Sequence, residues 1–156
     1  MEENNFMAEA VRLARKGMNA NEGGPFGAVV VKDGKIIARG NNKVASSNDP
    51  TAHAEIVAIR EACKKLKSFQ LEGCEIYTSC EPCPMCMGAI YWARPKIVFY
   101  ACDKQDAAEA NFDDQFIYEE IDTKAALRKI PFIQLDKKEA KKVFLEWIDK
   151  EDKTVY

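Results

Sequence analysis

The sequence predicts an α/β domain with helices on both faces of a mixed sheet, and three observations carry that reading. A continuous β-branched run, Phe26 to Lys32, turns at Asp33-Gly34 and returns through Lys35 to Arg39. Glu75 to Ser79, Pro84 to Arg94 and Lys96 to Cys102 then read as strand, helix and strand with tight connections. Such a βαβ unit makes its two strands parallel and buries them. Between and around these strands, apolar residues recur at helical spacing.

The first helix carries Phe6, Ala10, Leu13, Ala14 and Gly17 on one face and Arg12, Arg15 and Lys16 elsewhere, with Asn4 or Asn5 as its N-cap. Gly23-Gly24-Pro25 ends it. Asp33-Gly34 is a two-residue hairpin signal, because both positions of a type I′ turn need positive φ. A polar stretch from Asn41 to Thr51 closes on Asp49-Pro50-Thr51, a helix-start signal, and Ile56, Ile59, Cys63 and Leu66 mark the buried face of the helix that follows. Pro95 stops the helix over Pro84 to Arg94. Beyond Asp103 come short helices around Ala107 and over Asp114 to Ile121, a last strand at Ile130 to Leu135, and a final helix with Ala140, Val143, Phe144, Trp147 and Ile148 on its apolar face.

Composition narrows the function classes. The chain has 156 residues, 47% hydrophobic, with a net charge of −2, which suits one folded domain and excludes a disordered chain. No basic, apolar N-terminal segment with a small-residue cleavage site is seen, so neither secretion nor a membrane span is expected and a cytoplasmic location is. A pI near 5.6 disfavours a broad grip on phosphate backbones and favours a small-molecule partner. Six cysteines accompany a single histidine. In a reducing compartment that count points to metal, catalysis or packing before disulfides.

The chemistry-bearing residues cluster in two places. His53-Ala54-Glu55 opens one helix, and Pro82-Cys83-Pro84-Met85-Cys86 opens another. Cys83 and Cys86, three apart, share a helix face, and a helix N-terminus favours their thiolate form. Two thiolates and one imidazole leave tetrahedral Zn²⁺ an open fourth position, as in catalytic sites. Glu55 lies roughly 200° from His53 on a regular helix, but at a first turn it can project over the open side and carry protons. Cys80 offers a competing arrangement: with His53, Cys83 and Cys86 it would close a structural Cys₃His site. Its place before Glu81-Pro82 keeps the chain extended there and argues against this. A Cys80→Ser protein that lost zinc would favour the closed site. Cys63, Cys74 and Cys102 read as packing residues.

The run Ser79 to Ile90, with His53-Ala54-Glu55-Ile56 before it, resembles the zinc nucleobase deaminases of the cytidine deaminase superfamily, whose signature joins His-x-Glu to Pro-Cys-x-x-Cys. Gly23 to Ala28, Ser47 to His53, Tyr91 to Pro95, Phe112-Asp113-Asp114 and the terminal Tyr156 are similar to the short bacterial guanine deaminases. The resemblance covers most of the chain. It implies a three-layer α/β/α fold around a five-stranded mixed sheet, residues 1–156 as a single deaminase domain, and a homodimer exchanging C-terminal segments of about residues 136–156. It further implies one Zn²⁺ per subunit on His53, Cys83 and Cys86, with Glu55 as proton shuttle. Phe26, Asn42, Trp92 and Asp114 would line the base pocket, the Ala54 N–H would orient the base, and Tyr156 would reach the partner's site. The expected reaction is hydrolysis of guanine to xanthine and ammonia in purine metabolism. Rivals are a tRNA adenosine deaminase, a cytosine or other free-base deaminase, and a zinc-stabilised module that binds a base without turning it over; the last has no use for Glu55.

Overall fold

In the computed structural model, which describes residues 2–156, the first helix α1 (Glu2–Asn19) is followed by the hairpin strands β1 (Gly27–Lys32) and β2 (Lys35–Asn41). A short helix α2 (Val44–Ser47) precedes α3 (Ala54–Leu66), β3 (Glu75–Cys80), α4 (Pro84–Ala93), β4 (Ile97–Cys102) and α5 (Lys104–Glu109). Helix α6 (Gln115–Asp122), a 3₁₀ turn at Ala125–Leu127 and helix α7 (Lys137–Asp149) complete the chain. The chain divides into two compact units, one ending at Asp114 and the other spanning Gln115–Tyr156.

In the first unit the sheet runs β2-β1-β3-β4, with β1 antiparallel to both β2 and β3, and β3 parallel to β4. The hairpin turn has φ of 50° at Asp33 and 70° at Gly34, the positive pair that a tight two-residue turn demands. Because strand side chains alternate, β1 and β3 feed two cores. Ala28, Val30 and Ile76 pack with Ala54, Ala58 and Ala62 of α3 and with Ile90 and Ala93 of α4. On the opposite face Val29, Val31 and Tyr77 pack with Leu13, Phe6 and Met7 of α1. Helix α3 lies close on β2: a Cβ at Gly40 would stand 2.2 Å from the Ala54 carbonyl oxygen. That closeness fixes the start of α3, where the chemistry sits.

Several expectations need correction. The sheet has four strands, not five. Ile130 to Leu135 forms no strand: Pro131 has no N–H to give a ladder, Phe132 N–H bonds back to the Ala125 carbonyl at 3.0 Å, and Arg128 stacks on the Phe132 ring at 4.8 Å. β4 is parallel to β3 but not buried, since it is the edge strand, and Cys102 at its end is exposed and not a packing residue. Asn4 and Asn5 lie inside α1, which begins at Glu2, so neither caps it. The buried face of α3 centres on Ala54, Ile56, Ala58 and Ala62; Ile59, Cys63 and Leu66 flank it half-buried, because only small side chains fit where helix and sheet approach so closely. Among the described residues, no helix is long and apolar enough to cross a membrane.

Candidate metal centre

His53 and Cys83 are the N-caps of α3 and α4, with extended backbones at φ −68°, ψ 156° and φ −64°, ψ 168°. Pro84 at the first turn of α4 loses no hydrogen bond there, since a first-turn N–H has no partner within the helix. Both helices therefore aim their free N–H groups and positive dipole ends at one spot. His53 stands outside the helical repeat, so the 200° separation does not apply, and Glu55 in the first turn of α3 faces the same spot. This explains the two-residue spacing.

Among the described residues, His53, Cys83 and Cys86 form a group whose ligand atoms all lie within 4.8 Å of one another. His53 Nδ1 is 3.5 Å from Cys83 Sγ and 3.5 Å from Cys86 Sγ. Zinc bonds to sulfur and nitrogen in tetrahedral geometry require an N···S separation of about 3.6 Å, and both N···S separations here match it. Hydrogen bonding with Cys86 and then His53 outweighs burial and holds the Cys83 thiol down at about 4. The same bond, followed by burial, pushes the Cys86 thiol up. The contact with Cys83 raises the His53 pKa against the effect of burial.

Glu55 is buried, and that burial raises its pKa. Its Oε1 accepts from the Thr78 hydroxyl at 3.1 Å, and its Oε2 lies 3.4 Å from Cys86 Sγ. A carboxyl buried beside three metal ligands but outside their set is placed for proton transfer. Cys80 is directed elsewhere, with its Sγ 3.6 Å from the Asp103 carbonyl oxygen, and burial lifts its thiol to about 11.

The remaining sequence-derived residues are distributed as follows. Asn42 is buried, and its Oδ1 accepts the Val44 N–H at 3.1 Å. Phe26 is half-buried, with its ring edge-to-face with Phe112 at 4.9 Å and 86°. Ala54 is fully buried at the start of α3. Asp114 is half-buried, and its pKa is raised by burial and then by the Cys83 charge. Trp92 is exposed on α4. Tyr156 is exposed in the second unit. Thr78 and Ser79 were missed as site residues. Both are buried hydroxyls on β3, and Ser79 Oγ accepts the Gly27 N–H at 3.0 Å, bracing the turn that carries Phe26.

This fold and this donor set define a zinc-binding deaminase. The family described as the cytidine and deoxycytidylate deaminase zinc-binding region matches residues 1–102, and the chain belongs to it. The chain is 60% identical to a guanine deaminase of Bacillus subtilis over 156 residues, covering 100% of this chain and 100% of the other. The X-ray structure of guanine deaminase from that organism superposes with a TM-score of 0.97 at 60% identity, covering 100% of this chain and 99% of the other. A tRNA-specific adenosine deaminase of Aquifex aeolicus is 46% identical over 101 residues, covering 64% of this chain and 66% of its own.

Proposed function

We propose that this chain is a hydrolytic guanine deaminase that converts guanine and water to xanthine and ammonia. The observation that carries the choice of guanine is the similarity to a guanine deaminase along the whole chain, residues 103–156 included. Similarity to the tRNA-specific adenosine deaminase spans only 101 residues. The near-neutral charge of −2 agrees with a free base better than with an RNA stem.

His53, Cys83 and Cys86 would hold the zinc, with their donor spacing as the support. Zinc held there supplies a Lewis acid that brings the pKa of water at its open position close to 7. Glu55 takes a proton from the attacking water and passes it to a ring nitrogen of guanine. It then carries the second water proton to the amine leaving C2, so that ammonia departs and the carboxyl returns to its starting state. Guanine presents N1–H as a donor and O6 and N7 as acceptors. The Asn42 Oδ1 is occupied by Val44, so its amide N–H₂ is the group left to donate to an acceptor edge. Asp114 takes the donor edge, Phe26 and Trp92 form walls, and the Ala54 N–H orients the base.

The protein works in the cytoplasm as a single deaminase domain per chain, paired as a homodimer that exchanges C-terminal segments of about residues 136–156 and brings Tyr156 to the partner's pocket. The support for pairing is unsatisfied apolar surface: Ile130, Ile133 and Leu135 are all at least 75% exposed, and β4 is an open sheet edge. The reading is tested by ammonia release from guanine, adenine, cytosine, cytidine and a tRNA anticodon stem-loop, with mass measured by light scattering. Guanine turnover by a dimer is expected. Turnover on the stem-loop alone would reassign the substrate, and zinc-loaded protein inactive on all five would be a binding module.

A further inference from the structure

We infer that Thr78 is the positioning residue that fixes the Glu55 carboxyl, holding Oε1 so that Oε2 faces the metal ligands. The inference rests on the deaminase reading above and deepens it. Thr78 lies on β3 in register with Ala28 of β1, on the same strand face as Ile76 and Cys80, beneath the first turn of α3. It is 1% exposed, so no water competes for its hydroxyl. That hydroxyl donates to Glu55 Oε1 at 3.1 Å. Oε2 is left 3.4 Å from Cys86 Sγ, on the metal side.

The hydrogen bond to Oε1 fixes the plane of the carboxyl, and with Oε1 held by β3 the other oxygen is turned toward the metal ligands. A threonine hydroxyl buried without a partner is costly, so Thr78 and Glu55 hold one another in this arrangement. The bond also removes rotation about the end of a flexible side chain, and a shuttle misplaced by a fraction of an ångström loses rate. The Thr78 hydroxyl is directed at Glu55, and Thr78 acts through that carboxyl.

Zinc-loaded T78V and T78S proteins separate this role from packing. Valine keeps the shape and loses the hydroxyl; serine keeps the hydroxyl and loses a methyl group. T78V is expected to lower kcat on guanine about 10- to 100-fold with KM nearly unchanged and zinc content intact, the size of one hydrogen bond to a charged group. T78S is expected to restore most of kcat. The reverse order, with T78V active and T78S impaired, overturns the inference, as does a T78V protein that loses zinc along with turnover. A second readout needs no substrate. The Tm changes of T78V and E55A are expected not to add in the double variant, because both remove one contact. Additive changes overturn the inference. If the wild-type protein fails on guanine while zinc is bound, the substrate reading falls, and the Tm cycle still decides whether Thr78 holds Glu55.

Discussion

Helices α3 and α7 are both thirteen residues long and both amphipathic, yet they end in opposite circumstances. In α3 the apolar face is closed against the sheet, with Ala54, Ala58 and Ala62 fully buried. In α7 no residue is buried, and Phe144 is 70% exposed. Periodicity states which side of a helix is apolar but not what covers it. The difference has a functional reading. Glu55 is a buried carboxyl whose pKa is raised by burial, an unfavourable group that persists only where surrounding packing over-determines it. The region up to Asp114 has such packing, and the elements of Gln115–Tyr156 contain no buried residue.

The largest effect expected in the packed region is Glu55→Ala. Turnover should fall by about 10²–10⁴-fold, the usual contribution of a general acid–base group. Zinc content should be unchanged, because Glu55 is not among the three ligands. Thermal stability should hold or rise, since a desolvated carboxyl is removed from a buried place. Steady-state ammonia release, metal analysis and a thermal melt measure the three. A fall in zinc or a clear drop in Tm would mean that Glu55 is structural.

The sequence made most of the packed region legible, for reasons that stop at the second region. Asp33-Gly34 named its turn because few residues tolerate positive φ in succession, whereas the close contact of Gly40 with the alanines of α3 came only with the fold, since the larger Ile59, Cys63 and Leu66 suggested a different face. His53, Cys83 and Cys86 were readable as ligands because zinc chemistry restricts residue type and helix starts restrict spacing. Thr78 was not readable, since a threonine in a strand is ordinary until the fold sets it beneath Glu55. The strand expected at Ile130 to Leu135 failed for the opposite reason. Its apolar residues are strand-like, but a strand needs a neighbour to bond, and Phe132 N–H finds the Ala125 carbonyl instead. The exposed ends of β4 and α7 pose the same problem, because a pattern of apolar residues carries no address for its partner.

A pair of truncations in apolar residues sharpens the contrast. Leu71 is fully buried in the core beneath α3 and α4, and Leu71→Ala should cost about 2–5 kcal/mol whatever the protein concentration. Phe144→Ala should cost the isolated chain no more than about 0.5 kcal/mol, because the ring is already mostly in water. Its effect should appear in association, as a larger monomer fraction in light scattering and a Tm that depends on concentration. Equal, concentration-independent losses from both variants would erase the distinction between the two regions.

The smallest effect tests how far the packed region depends on its rim. Glu9 of α1 receives Arg12 Nε at 2.6 Å and Arg39 Nε of β2 at 2.8 Å, tying the helix to the hairpin. The hydrogen bond from Arg12, followed by that from Arg39, outweighs burial and lowers the Glu9 pKa from 4.5 to about 2. A carboxyl with a lowered pKa in the folded state stabilises the fold above its unfolded pKa and loses that contribution as pH falls through the folded value. The arginines are half exposed or more, so solvent screens the pair and the contribution is small. Glu9→Gln should therefore melt slightly below wild type at pH 7, with the gap closing between about pH 4.5 and about pH 2 and shrinking in high salt. A gap constant across that range would assign the loss to packing of the Glu9 stem and leave the ion pair without a stabilising role.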